Sequence, residues 1–202
     1  MSKGTLPLSL ESADRIMLQL IERFSPYCER IRGAGSWRRG KETVNDLEIV
    51  AIPRVAVTQT DLFGGAVKEE NTLLSYLDEL VNGRHIQKGS SWGKLARYFT
   101  MKVGKTAVSV NIFTTLDGGA WGDLLLLRTG NALFSKTMFS QQDEGGVLPR
   151  NMHHVGGKLW RDGRVVPCYE EEDYFNEAGV GYILPKHRTD DTANALAVTF
   201  RN

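Results

Sequence analysis

The chain has 202 residues, of which 41% are hydrophobic and 24% are charged, and its formal net charge at pH 7 is +1. This length is enough for one large domain or two small ones with a sizeable core. The small net charge excludes a histone-like polyanion binder, so a nucleic-acid-binding chain of this composition must gather its basic groups on one face. No apolar run approaches the roughly 20 residues of a membrane helix, and the N-terminus lacks the layout of a signal peptide. We therefore expect no membrane association and a cytoplasmic location.

Helical and strand patterns alternate in the first half of the chain. Apolar residues spaced three and four apart predict amphipathic helices over residues 9–24, with Ser9 or Ser12 as the N-cap, and over Glu69–Val81. Extended segments are predicted over Asp46–Pro53, Thr58–Phe63, Trp92–Thr100 and Ala107–Thr114. Mixed helices and strands of this kind predict an α+β layer.

The second half carries more turn signals. A turn at Asp117–Gly119 precedes the apolar run Leu124–Leu127, which we interpret as a strand with Asp123 at its start. A hairpin turn is predicted at Arg161–Gly163, and a short acidic helix over Glu170–Ala178, ended by Gly179. His153 and His154 are expected at the surface, because neighbours on a strand point to opposite faces and cannot share one ion. Cys28 and Cys168 are expected to be reduced, structural thiols.

Two acidic residues define the most informative stretch. Asp46 and Glu48 flank Leu47 in a predicted strand, where alternate side chains share a face. Two carboxylates on one face repel each other unless a cation lies between them, and their oxygens suit Mg²⁺ or Mn²⁺. Just upstream, a Gly-Ser turn and two arginines supply groups that bind phosphate. These residues predict a metal site beside a phosphate-binding turn; the alternative is an edge strand with a solvated acidic face and a basic loop.

The spacing of these residues resembles a known signature. Gly35-Ser36, nine intervening residues and then Asp-apolar-Glu-apolar is similar to the motif of the nucleotidyltransferase superfamily. The run Gly35-Ser36-Trp37-Arg38-Arg39-Gly40 resembles the version in family X DNA polymerases, the polymerase beta-like group.

Two later blocks occur in the same order as in that family. The first is Thr129-Gly130, which resembles the junction between palm and thumb. The second is Asp173-Tyr174-Phe175 followed by Tyr182-x-x-Pro185-x-x-Arg188, which resembles the end of the thumb. The resemblance extends from about residue 9 onward.

The resemblance implies an α+β fold with two parts. Residues 1–127 would form a nucleotidyltransferase-type palm, a mixed sheet with helices on one face, and residues 128–202 a small α/β thumb-like subdomain. It implies a minimal palm-plus-thumb form without a preceding helix-hairpin-helix domain. Asp46 and Glu48 would bind Mg²⁺ or Mn²⁺, and Ser36 and Arg39 would hold the β and γ phosphates. The full set of residues that the resemblance assigns to the nucleotide is Gly35, Ser36, Arg39, Asn45, Thr129, Gly130 and Ser135.

The third acidic ligand of the family is replaced by an amide. Two-metal phosphoryl transfer uses an acid that holds the catalytic ion near the attacking hydroxyl. In the family this acid lies in an apolar-Asp-apolar setting, and Asn111 occupies that place in the catalytic set of Asp46, Glu48 and Asn111. An amide oxygen can bind a metal but adds no charge and accepts no proton. We therefore expect nucleotide binding with reduced turnover. Asp117 or Asp123 could replace the missing acid, and Asn111 could be natural or introduced.

The implied function is a DNA-directed DNA polymerase that adds a deoxynucleotide to a DNA 3′ end. Its substrates would be a deoxynucleoside triphosphate and primer–template or gapped DNA, in repair or replication, and the enzyme would be a monomer. One alternative is a non-catalytic nucleotide- or DNA-binding protein with a degenerate site, and another is a nucleotidyltransferase that acts on RNA or protein. Lys94, Arg97 and Lys102 are either a basic track for a template strand or a solvated sheet face.

Overall fold

The computed structural model describes residues 6–59 and 68–200. Its helices are α1 Leu10–Phe24, α2 Gly35–Arg38, α3 Thr72–Asn82, α4 Trp121–Thr129, α5 Ala132–Phe139, α6 Glu171–Glu177 and α7 Asp190–Thr199. Its strands are β1 Leu8–Ser9, β2 Cys28–Gly33, β3 Thr43–Val44, β4 Leu47–Pro53, β5 Val55–Gln59, β6 Lys68–Asn71, β7 Ile86–Trp92, β8 Ala96–Val103, β9 Thr106–Thr114, β10 Met152–Val155, β11 Lys158–Arg161 and β12 Arg164–Val166. The predicted α+β class is confirmed. No helix in these two ranges is long and apolar enough to cross a membrane.

The chain divides into two compact units. The first comprises Met1–Gly33 and Asn45–Leu116, and the second comprises Ala34–Val44 and Asp117–Asn202. The division predicted between residues 127 and 128 falls inside α4, which belongs to the second unit because it supplies Leu126 to that unit's core. The Gly-Ser turn, predicted within the palm, also belongs to the second unit.

A five-stranded mixed sheet forms the centre of the first unit. The strand order is β2-β4-β9-β8-β7, with β4 parallel to β9 and the other neighbours antiparallel. Helices α1 and α3 lie side by side, since Arg23 Nε donates a hydrogen bond of 2.9 Å to the Tyr76 hydroxyl and the Phe24 ring meets the Tyr76 ring edge-on. Ile112 on β9 pairs with Ile49 on β4 and with Arg97 on β8, so these three side chains lie on one face of the sheet.

Arg97 fastens helix α3 to that face. Its side chain is nearly buried; Nη1 donates to the Leu74 carbonyl at 2.6 Å and Nη2 to Asp78 Oδ2 at 3.0 Å. The guanidinium also lies 4.6 Å from the centre of the Trp92 ring, whose Nε1 donates to Asp78. Neither interpretation offered for this arginine, a template track or a solvated face, is therefore correct: it is a packing residue.

Local signals account for several element boundaries. Ser9 caps α1 by accepting a 3.3 Å hydrogen bond from Ser12 N, as predicted. The helix predicted over Glu69–Val81 is α3, and it begins at Thr72. Asn71 caps it by accepting a hydrogen bond from Leu74 N, and the residues before the cap form β6, which pairs with β5. Most of the predicted segment Thr58–Phe63 lies outside the described residues. Strand β7 was not predicted, because its middle residues are polar and exposed.

The second unit combines helices with a small sheet. Strands β10, β11 and β12 form an antiparallel sheet, with the predicted turn at Asp162 and Gly163 confirmed by their positive φ angles of 50° and 74°. Leu124–Leu127 is helical rather than a strand, because an unbroken apolar run carries no period that separates the two. The core of this unit includes Leu126, Phe134, Met138, Leu148, Leu159, Cys168, Tyr174 and Phe175.

Replacing Gly122 tests the close approach of α4 to the chain before α6. Gly122 N donates a 2.7 Å hydrogen bond to the Cys168 carbonyl, and a Cβ at this glycine would lie 2.1 Å from the Glu170 carbonyl oxygen. Because that atom is backbone, we expect Gly122→Ala to lower the free energy of unfolding by about 2 kcal/mol or more, although alanine normally favours a helix by about 1 kcal/mol over glycine. Urea denaturation measures the change.

Gly118→Ala is the matched control. A Cβ at Gly118 would meet nothing within 4 Å, so its unfolding free energy should change by no more than about 0.5 kcal/mol. Equal denaturation midpoints for the two variants would contradict the packing described here.

Candidate active site

The three side chains of the predicted metal site meet in the first unit. Glu48 on β4 and Asn111 on β9 are direct partners in the parallel pair. Asp46 lies one residue before β4, and its Oδ2 accepts a 2.6 Å hydrogen bond from Asn111 Nδ2. All three residues are half-buried. The register of the two strands therefore gathers the two carboxylates and the amide at one place on the sheet.

A cleft of about 720 Å³ opens beside this group. Asn45, Asp46 and Asn111 line it together with side chains from the β8–β9 hairpin and the bulged part of β7. Tyr98 lies opposite Asn111, and Thr100 lies opposite Ser109. These lining residues were not predicted, although their positions follow from the pairing of Asn111 with its neighbours. The cleft therefore offers one carboxylate, two amides, hydroxyl groups and two aromatic rings.

The donor set fits one divalent ion better than two. Asp46 and Glu48 supply carboxylate oxygens, the ligands that Mg²⁺ prefers. Within residues 6–59 and 68–200, no group of three or more His, Cys, Asp or Glu side chains is arranged to hold a metal. Asn111 donates to Asp46 and so reduces the repulsion between the two acids without adding a negative ligand.

The two acids considered as replacements belong to the second unit. Asp117 lies 2.5 Å from Lys158 Nζ and accepts a hydrogen bond from Gly119 N. Those two hydrogen bonds lower the pKa of Asp117, that from Lys158 the more strongly. Asp123 is buried in the first turn of α4. Neither is therefore assigned as the third ligand.

The predicted phosphate turn occupies the short helix α2 of the second unit. Gly35 has a positive φ of 65°, which the absence of a Cβ permits, and Ser36 is half-buried. Arg39 Nη1 donates to the carbonyl oxygens of Thr129 and Gly130 at 2.8 and 3.1 Å. The structure thus brings Arg39 together with the Thr129–Gly130 junction and gives its guanidinium a positioning role there. Phosphate binding by Ser36 and Arg39 stays a prediction.

Ser135 supports the same junction from α5. It is nearly buried, and its Oγ donates a 3.1 Å hydrogen bond to the Leu127 carbonyl. A Cβ at Gly130 would lie 2.5 Å from this Oγ, so the glycine leaves room for the hydroxyl in its present position. The hydroxyl of Ser135 is therefore engaged with backbone.

A buried ion-pair network holds α2 against α6 and was not predicted. Glu171, in the first turn of α6, has only 2% of its surface exposed. Its two oxygens accept hydrogen bonds of 2.7–2.8 Å from Arg38 and of 2.7 and 3.2 Å from Arg188. Burial alone would raise the pKa of Glu171, but the hydrogen bonds and charges of the two arginines outweigh burial and lower it. The sequence offered one signal for this network: Arg38 lies in the run that begins at Gly35, and Arg188 ends the block that begins at Tyr182.

Arg38 links this network to the junction. Its Nη1 also donates to Thr129 Oγ1 at 2.7 Å. Adjacent arginines of one short helix thus contact the side chain and the backbone of the same threonine, which fixes the Gly35–Arg39 turn relative to Thr129.

Comparison of the chain with models of known protein families finds no match, and comparison with curated proteins finds none.

Glu171→Gln tests the buried network. The substitution keeps the shape but leaves the buried Arg188 and Arg38 without their carboxylate, so we expect a loss of about 3–5 kcal/mol in the free energy of unfolding. Because the folded pKa of Glu171 lies below its ordinary 4.5, the stabilisation is present above pH 4.5 and is lost as the pH falls below it. Urea denaturation at a series of pH values measures the effect: the unfolding free energy of the variant should lack the decrease that Glu171 causes below pH 4.5.

The control for this variant is Glu172→Gln, which changes the exposed neighbour on the same helix. It should alter the unfolding free energy by no more than about 0.5 kcal/mol. A comparable loss in both variants would show that the network does not stabilise the second unit.

Proposed function

We propose that this chain is a nucleotidyltransferase of the family X DNA polymerase type, which adds a deoxynucleotide to a DNA 3′ end. The observation that carries the proposal is the meeting of Asp46, Glu48 and Asn111, with Glu48 opposite Asn111 and Asn111 bonded to Asp46. As part of the same proposal, the first unit is a nucleotidyltransferase palm and the second unit is thumb-like. The sequence blocks around Ser36, Thr129 and Tyr182 support it.

Asp46 and Glu48 would hold Mg²⁺ or Mn²⁺ together with the triphosphate. When bound there, the ion would neutralise charge that develops on the transferred phosphoryl group. Asn111 orients the Asp46 carboxylate through its hydrogen bond. It cannot accept the proton of the attacking 3′ hydroxyl, so that position supplies no general base. Catalysis would rest on positioning and charge neutralisation rather than on a covalent intermediate.

The proposed substrates are a deoxynucleoside triphosphate and primer–template or gapped DNA. Repair or replication, a cytoplasmic location and a monomeric state complete the proposal. They rest on the resemblance of the motifs, as does the assignment of phosphate binding to Ser36 and Arg39. Transfer to RNA or protein is the alternative within the same superfamily.

A second candidate is a non-catalytic nucleotide- or DNA-binding protein. The hydrogen bond from Asn111 to Asp46 favours it, because the amide places an N–H donor where turnover requires a negative ligand. In this case Asp46 and Glu48 would still bind a metal–nucleotide complex, but no nucleotide would be transferred.

Primer extension on gapped DNA tests the proposal. With Mg²⁺ and with Mn²⁺, we expect slow extension by the natural chain and none by Asp46→Asn, which removes a metal ligand. Asn111→Asp should extend the primer about 10²-fold faster, because it restores an acid that can accept the hydroxyl proton. Glu79→Gln, a change of an exposed acid on α3, is the control and should extend at the natural rate.

The pattern of results separates the candidates. Extension only by Asn111→Asp would identify the natural chain as a nucleotide-binding protein that has lost turnover. Extension of an RNA oligonucleotide in preference to DNA would support the alternative acceptor. If Asn111→Asp neither binds nucleotide nor extends either strand, the nucleotidyltransferase proposal fails.

A further inference from the structure

The interior of the second unit contains a pair of titratable side chains for which the proposed chemistry has no use. Asp123 on α4 has 1% of its surface exposed, and the His154 side chain on β10 has 12%. His154 Nε2 lies 3.7 Å from Asp123 Oδ1. Neither oxygen of Asp123, nor Nε2 of His154, is in hydrogen-bond geometry with any described residue. His154 is thus not the surface residue that its sequence position suggested.

The charged groups around this pair do not neutralise Asp123. Lys158 on β11 is paired with Asp117, and Arg161 is paired with Glu177 on α6. The titratable groups Cys168 and Tyr174 lie near Asp123, and Asp173 lies near Cys168. On the side of the imidazole, the rings of Phe139 and Tyr174 lie 4.5 and 6.3 Å away. A carboxylate in this setting would be a buried negative charge without a cation, which costs several kcal/mol.

We infer that the pair Asp123 and His154 carries a single proton at mildly acidic pH, and that this proton resides on the carboxyl group. A carboxylic acid beside a neutral imidazole leaves this part of the interior without an unpaired charge. Moving the proton to Nε2 would create a carboxylate and an imidazolium, two charges that burial disfavours. The pair is therefore an uncharged contact between α4 and β10, made by a carboxylic acid and a neutral imidazole.

The pKa values agree with this assignment. Burial raises the pKa of Asp123 from its ordinary 3.8 to about 7, with a further rise from the charge of Asp117, while weak contacts with its own backbone N–H and the Cys168 thiol oppose the shift. Burial lowers the pKa of His154 from 6.5 to about 4. Both shifts favour the neutral forms.

The two shifts have opposite effects on stability. Between about pH 4 and 6.5 the folded pair carries one proton, on Asp123, and the unfolded chain also carries one proton, on His154. Because the proton count is the same in both states, the pair adds no pH dependence to folding in this range. Each residue alone would make stability depend on pH. Asp123 alone would make the protein less stable as the pH rises, and His154 alone would make it more stable as the pH rises.

Single substitutions expose these opposite slopes. In His154→Gln, relative to the natural chain, the folding equilibrium constant should fall by up to tenfold per pH unit as the pH rises from about 4.5 to 6.5. In Asp123→Asn it should rise by up to tenfold per pH unit over the same range. Urea denaturation of the full chain at a series of pH values measures both slopes. His153→Gln, a change of the exposed neighbour on β10, is the control and should keep the natural slope.

Two results would overturn the inference. One is a pair of variants whose pH slopes match that of the natural chain. The other is a His154 ring that titrates at or above pH 6.5 in the natural chain, which would mean that the histidine carries the proton. NMR titration of the histidine rings supplies this second measurement even if a variant fails to fold, since contacts with Phe139 and Tyr174 identify the His154 signal.

Discussion

The register between β4 and β9 is the constraint on which the candidate site depends. In this parallel pair Glu48 meets Asn111 and Ile49 meets Ile112. Both isoleucines are fully buried on the face covered by α3, and each contributes about 1.5–3 kcal/mol by leaving water. A slip of one residue would move Glu48 to the face covered by α3 and bury its charge, so this face selects the register. The position of the carboxylates is thus a consequence of core packing on the opposite side of the sheet.

Asn111 changes the electrostatics of the site without changing its shape. An aspartate there would add a third negative charge to a half-buried group, whereas the amide donates a hydrogen bond to Asp46. Under the proposed function, this arrangement would favour a single bound cation, and it would separate affinity for a metal–nucleotide complex from the rate of transfer. In the second unit, Glu171 is held by two arginines, and we infer that Asp123 and His154 are both uncharged at mildly acidic pH.

Local patterns predicted the elements whose signals lie within a few residues. Helix α1 followed from its apolar spacing and Ser9 cap, and strands β8 and β9 overlap the extended segments predicted over Trp92–Thr100 and Ala107–Thr114. Helix α4 was misread, since four consecutive leucines bury equally well as a strand or as a helix. Asp46, Glu48 and Asn111 were candidates from spacing and resemblance alone. The side-chain contacts in the two units were not predicted, because their partners are far apart in the sequence. Glu171 and Arg38 are separated by 133 residues, and Asn111 and Asp46 by 65. Such pairs depend on tertiary packing that no short window contains.

The most direct test of the central claim is a crystal structure of the protein with Mn²⁺ and a non-hydrolysable deoxynucleoside triphosphate. An anomalous difference map locates the metal without reference to activity. We predict a Mn²⁺ peak about 2.1 Å from one oxygen each of Asp46 and Glu48, with the triphosphate completing its ligands. A metal–nucleotide complex bound elsewhere, with both carboxylates unligated, would contradict the account.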